Sequence, residues 1–145
     1  MDAEMSAIYA ETFGDYPPEV RTLFAAAFGV EPATIVATLL ALDGGSRLPV
    51  GHAGLRAHGP DGVLEVKKVI VDVGHRGRGI SRALMLELEN VGRELDAPSL
   101  ILQTGDRQPA AIGLYESIGY HLIAPYAPFE LMSNALCYEK VLGAW

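Results

Sequence analysis

The feature that most constrains the fold is the stretch from Val69 to Arg82 (VIVDVGHRGRGISR), in which an apolar strand passes through a loop carrying Gly74, Gly77 and Gly79 straight into a long helix. Beyond the loop, Ile80, Ala83, Leu84, Leu88, Val91 and Leu95 recur at helical spacing, with Arg82, Glu87, Glu89, Arg93 and Glu94 at the remaining positions. A strand, a glycine-rich turn and a helix N-terminus together make an anion site, because unpaired N–H groups converge where the helix dipole is positive. Glycine at 77 and 79 lets the backbone approach a pyrophosphate that a side chain would hold off. The plain alternative is a flexible turn with no ligand. Two nucleotide-binding loops fail outright: the P-loop needs a Gly-Lys-Ser/Thr ending, and the dinucleotide fingerprint needs a glycine where Arg82 stands and an acidic residue where the next strand ends at Thr104-Gly105.

The remaining chain supplies the elements around this segment. Pro17-Pro18 opens a helix whose Val20, Leu23, Phe24 and Phe28 share a face until Gly29 ends it. Thr34–Leu42 reads as a buried strand, although periodicity alone leaves a helix open. Pro49–Ala57 and Val63–Asp72 form two further strands around the turn residues His58 to Gly62. Ser99–Thr104 is a strand, Pro109 opens a helix with Ala111, Leu114, Tyr115 and Ile118 on one face, and Tyr120–Ala124 and Leu136–Val141 are final strands. Strands followed by helix, strand, helix, strand predict an α+β fold with a mixed, mostly antiparallel central sheet flanked by helices, as a single domain over residues 1–145.

Charge and cysteine usage narrow the partners. Eleven basic against eighteen acidic residues give a net charge of −7, which repels phosphate backbones, argues against nucleic acid and mildly favours cationic substrates such as amines. No apolar stretch approaches the roughly 20 residues of a membrane span, and the start lacks a basic then apolar segment, so a cytoplasmic protein without membrane association is expected. Cys137 is the only cysteine, which precludes an intrachain disulfide, and its apolar strand context predicts a buried structural thiol. Glu65, Asp72, His75 and Asp106 fall in no metal-ligand spacing, so no metal is expected. The C-terminal strand and the apolar Leu136, Tyr138, Val141 and Trp145 would favour a homodimer if they formed an exposed edge or an apolar patch.

Arg76-Gly77-Arg78-Gly79-Ile80-Ser81 resembles the acetyl-CoA signature of the GNAT superfamily of N-acetyltransferases, in which Gln or Arg is followed three residues later by Gly and two after that by Gly or Ala. Val71 stands five residues ahead of Arg76, as in that family, while Ser81 replaces the last small residue. The resemblance continues about thirty residues on, where Gln108 occupies an asparagine position and Tyr115 and Gly119-Tyr120 match. It covers Glu65 to Tyr120 well and the ends loosely.

What the resemblance implies is a transfer of acetyl from acetyl-CoA to a primary amine by direct attack in a ternary complex. It implies that Arg76, Gly77, Arg78, Gly79, Ile80, Ser81 and Arg82 hold the coenzyme, that the Val71 backbone and Gln108 meet the pantetheine arm, and that the Val69 N–H polarises the thioester carbonyl. Tyr115 is implied as the acid that protonates the departing thiolate, against the plain reading of a core tyrosine. Glu65 is implied as a general base, against an ion pair with the neighbouring lysines, and His52 is its substitute. A transferase for longer acyl-CoAs and a non-catalytic acyl-CoA sensor are the rival readings. The acceptor pocket is expected from Thr12–Glu31 and Ala124–Asn134.

Overall fold

The computed structural model describes residues 15–29, which belong to one compact unit, and residues 31–143, which belong to another. In the first unit Pro18–Phe28 is helix α1, with proline at the start and Glu19 in the first turn, both suited to an end whose amides lack partners. Tyr16 stands edge-on to Phe24 with ring centres 5.2 Å apart, and Gly29 closes the helix by donating to the Ala25 carbonyl at 2.8 Å. Of the expected apolar face, Phe24 is buried and Leu23 is exposed.

The second unit contains β1 (Ile35–Leu42), β2 (Pro49–Ala57), β3 (Leu64–Val71), α2 (Ile80–Glu94), β4 (Ser99–Gly105), α3 (Pro109–Ser117), β5 (His121–Ile123) and β6 (Ala135–Val141). The strands form one sheet in the order β1-β2-β3-β4-β6-β5, antiparallel throughout except between β3 and β4. This is the expected α+β architecture, and Ile35–Leu42 is a strand rather than the helix left open by its pattern. The β1–β2 turn is locked by Asp43, whose carboxylate accepts the Gly45 and Ser46 N–H groups at 3.1 and 2.8 Å.

One sheet face carries Leu55, Leu64, Val66, Leu100 and Leu102 into a core shared with Leu84, Met85 and Leu88 of α2 and Tyr115 of α3. Each fully buried leucine here contributes roughly 1.5–3 kcal/mol of burial energy. The buried stripe of α2 differs from the expected one: it consists of Leu84, Met85, Leu88, Glu89 and Gly92, while Leu95 is exposed. Glu89 is buried because Lys140 from β6 meets it at 2.8 Å and Arg93 at 3.8 Å. Gly92 is buried because Leu142 and Leu100 approach so closely that an added Cβ would lie 2.7 Å from Leu142. Neither residue carries a hydrophobic signal.

A second correction concerns the C-terminal strand. β6 lies between β4 and β5, so it is no edge, and Tyr138 is buried in the core. Among the described residues of that strand only Val141 is exposed, and Trp145 lies outside the described residues. Among the described residues no helix is long and apolar enough to cross a membrane.

Candidate active site

The parallel strands β3 and β4 are paired only at Leu64 with Leu100 and Glu65 with Ile101. Beyond that point β4 continues against β6 from Ser99 opposite Val141 to Gly105 opposite Ala135, while β3 continues against β2. The two strands therefore diverge, and a cleft opens between Val66–Val71 and Leu102–Gly105 with main-chain donors and acceptors along its walls. The Asp72 N–H donates to the Val50 carbonyl of β2 at 2.8 Å. Strand alternation then turns the peptide groups of Val71 and Val69 the other way, toward the cleft. The Val71 carbonyl accordingly accepts from Arg76 Nε at 3.1 Å.

At the end of β3 the chain makes a short helical turn over Val73–His75 and enters the loop. Gly77 and Gly79 both adopt positive φ, +77° and +78°, and nothing lies within 4 Å of a Cβ placed on either. That backbone shape is one other residues adopt at a cost, and Gly79 forms the N-cap of α2 in it. Among the described residues, the N–H groups of Gly77, Arg78, Gly79, Ile80, Ser81 and Arg82 donate no hydrogen bond. Six successive free donors at the positive end of a fifteen-residue helix are what a phosphate requires. His75 faces away to two carboxylates, Asp72 at 3.0 Å and Asp43 at 3.5 Å.

Helix α3 starts at Gln108, its N-cap, and Pro109, and carries Tyr115. The Tyr115 ring packs 6.0 Å from that of Tyr120 and 6.4 Å from that of Tyr138. Burial pushes its hydroxyl up to about 12, so the proton stays on at neutral pH. That hydroxyl makes no hydrogen bond among the described residues, whereas Tyr138 donates to Glu116 at 2.9 Å. Val71 and Tyr115 belong to the same buried cluster, with Val69 packed against it.

Glu65 is fully buried and engaged on both oxygens: Arg56 Nε donates to Oε1 at 2.6 Å, Lys67 Nζ lies 3.5 Å from the same oxygen, and the Tyr126 hydroxyl donates to Oε2 at 2.6 Å. Burial, ahead of the opposing pull of Glu65, lowers Lys67 to about 8, and burial raises Tyr126 strongly. Phe129 completes the cluster, 5.3 Å from the Tyr126 ring and with Lys67 Nζ 5.5 Å over its own. The expected lysine partner is Lys67, and Arg56 and Tyr126 are partners beyond it. Arg56 faces Glu65 across the β2–β3 hairpin, so counting outward from the His58–Gly62 turn would have found it. Tyr126, 61 residues away, leaves no such signal. His52 donates from Nδ1 to the Lys68 carbonyl at 2.8 Å, and Cys137 is buried with its thiol pushed up by burial.

The profile of the Acetyltransferase (GNAT) family matches residues 3–120. An IAA acetyltransferase of Azospirillum brasilense is 31% identical over 64% of this chain and 61% of its own length. Across the curated relatives it matches, the chain spans between 24% and 61% of their length. Among solved structures, a Klebsiella pneumoniae protein described as an acyl-CoA N-acyltransferase superposes with a TM-score of 0.71 at 29% identity, covering 86% of this chain and 87% of that one. A Salmonella typhimurium structure described as an acetyltransferase with its cofactor acetyl-CoA shares the fold, with a TM-score of 0.61 at 20% identity over 74% and 65% of the two chains.

Proposed function

Because this chain belongs to the GNAT acetyltransferase family, we propose that it moves an acetyl group from acetyl-CoA onto a primary amine by direct attack in a ternary complex. The observation that carries this reading is the divergence of β3 from β4 directly ahead of a loop with six free N–H donors. A cleft lined by main-chain groups suits the pantetheine arm, and the loop at its end suits the pyrophosphate.

In this reading Gly77 and Gly79 admit the pyrophosphate to the backbone, and the N–H groups through Arg82 hold it, with the Ser81 hydroxyl beside them. The exposed guanidinium groups of Arg78 and Arg82 add positive charge at the loop. The Val71 backbone and Gln108 hold the pantetheine arm. The Val69 N–H faces the thioester carbonyl, where negative charge grows as the amine attacks, and such a donor helps most when it is fixed in place beforehand. Tyr115 supplies a proton-bearing hydroxyl for the departing thiolate. An ordinary thiol titrates near about 8.5, so complete transfer from a tyrosine raised by burial runs uphill. Its main contribution is therefore a hydrogen bond to the developing charge, with the proton released by the amine completing neutralisation.

Glu65 enters as the residue that organises Arg56, Lys67 and Tyr126, since neither oxygen is open to an incoming amine. Tyr126 and Phe129 come from the Ala124–Asn134 segment expected to shape the acceptor pocket, which puts their cluster next to the acceptor in this reading. Incubation with acetyl-CoA and a panel of primary amines, following thiol release and the acetylated product by mass spectrometry, tests the proposal. Turnover with at least one amine is expected. Tight acetyl-CoA binding with no turnover across the panel would favour a sensor, and faster turnover with a longer acyl-CoA would move the donor assignment.

A further inference from the structure

We propose that His52 is a positioning residue: its hydrogen bond to the Lys68 carbonyl holds the bulge in β3 in the shape that aims the Val69 N–H into the cleft. The inference rests on the reading of Val69 as the thioester donor and assigns what keeps that donor in place. The β2–β3 ladder pairs His52 with Ile70 but Gly54 with Lys67, so Ala53 alone faces both Lys68 and Val69. Lys68 sits at φ +54°, in the left-handed region, which is strained for a residue with a side chain. Strain of that kind persists only where the surroundings over-determine it.

The contact that does so is His52 Nδ1, 2.8 Å from the Lys68 carbonyl oxygen. A carbonyl only accepts, so Nδ1 carries the hydrogen. The Lys68 carbonyl and the Val69 N–H belong to one planar trans peptide unit, in which they point in opposite directions. A carbonyl drawn toward β2 by His52 thus directs the Val69 N–H away from β2, and the side of β3 away from β2 is the cleft. One side-chain bond from a neighbouring strand offsets the strain and sets the direction of the donor. A regular strand at Lys68 would release both.

Four variants test this: His52→Ala, His52→Gln, Lys68→Gly, and His52→Ala combined with Lys68→Gly. Turnover is measured alongside KM for acetyl-CoA, and the Val69 amide resonance is followed in valine-labelled protein with acetyl-CoA and with free coenzyme A. His52→Ala should lower kcat by about tenfold or more, a fraction of the loss from deleting an oxyanion donor, with KM for acetyl-CoA changed less than about twofold. It should also erase the difference between acetyl-CoA and coenzyme A at Val69. His52→Gln retains an N–H donor and should recover most of the loss. Lys68→Gly should recover part of it in the His52→Ala background, since glycine bears no penalty at positive φ. Equal losses in His52→Ala and His52→Gln would overturn the inference and point to imidazole base chemistry. If the wild type itself showed no acetyl-dependent change at Val69, the thioester reading would fail first. If the wild type showed it and His52→Ala kept it, the positioning role alone would fall.

Discussion

The glycine loop and the Glu65 cluster stand at opposite ends of β3 and are built in opposite ways. The loop is local, Arg76 to Arg82, and offers main-chain donors at positions where Gly77 and Gly79 remove side chains. The cluster is assembled from β2, β3 and the segment before β6, and its polar atoms belong to a buried carboxylate and the half-buried side chains that satisfy it. A ligand is needed to complete the first and is not needed to complete the second. The loop should therefore govern coenzyme affinity with little effect on stability, and the cluster the reverse.

The sharpest way to break that division is Glu65→Gln. It preserves shape but removes the charge that Arg56 and Lys67 face, and breaking a buried pair from one side costs about 3–5 kcal/mol. A large drop in denaturation midpoint is expected, with acetyl-CoA affinity per folded molecule unchanged in calorimetry. If affinity fell along with stability, the two ends of β3 would be one coupled site.

Gly79→Val is the converse experiment. A β-branched residue at φ +78° is strained and, in the proposed coenzyme site, would stand in the path of the pyrophosphate, so acetyl-CoA should bind at least about 100-fold more weakly, roughly 2.7 kcal/mol. Some loss of stability accompanies the strain. Wild-type affinity would remove the loop from the coenzyme site.

Tyr115→Phe probes the cleft between the two regions. The ring stays in the core, so stability should change by about 1 kcal/mol or less, while kcat should fall by tens of fold to about 100-fold, at the low end for acid catalysis because the raised hydroxyl donates reluctantly. Near-normal turnover with an accepted amine would reduce Tyr115 to a packing residue.

The same contrast explains which features of the molecule are legible in its sequence. Element order, strand type and the helix start at Ile80 follow from patterns within a few residues, as does the loop, because main-chain donors depend on glycines and a helix end rather than on distant partners. The sequence puts Glu89 on the polar face and gives Gly92 no place, because their burial is decided by Lys140, Leu100 and Leu142, which arrive from β4 and the chain at and just beyond β6. The closure of the second Glu65 oxygen is illegible for the same reason, since its hydroxyl partner comes from Tyr126. The outer side of β6 is likewise covered by β5, a three-residue strand too short for its place in the sheet to show in its sequence. Contacts that close over long loops leave no periodicity in the chain.

The smallest expected effect concerns Lys67 and carries an unusual sign. Burial lowers its ammonium to about 8 in the folded protein, against about 10.4 in an unfolded chain. Between those values the unfolded state binds more protons, so stability rises with pH, and the penalty for the buried charge is fully present below about pH 8. Across one pH unit above 8 the gain is on the order of 1 kcal/mol. Cys137 and the buried tyrosines oppose it at higher pH, because their folded forms hold protons longer than the unfolded chain does. Lys67→Met isolates the effect, since those opposing groups are common to both proteins and cancel in the difference. Subtracting the variant's stability from that of the wild type at pH 7, 8 and 9 should give a difference that climbs toward the wild type above pH 8. Denaturant melts would measure it. A flat difference would mean that Glu65 holds the Lys67 charge as firmly as water does, and the cluster would then be a settled ion pair rather than one strained by its own burial.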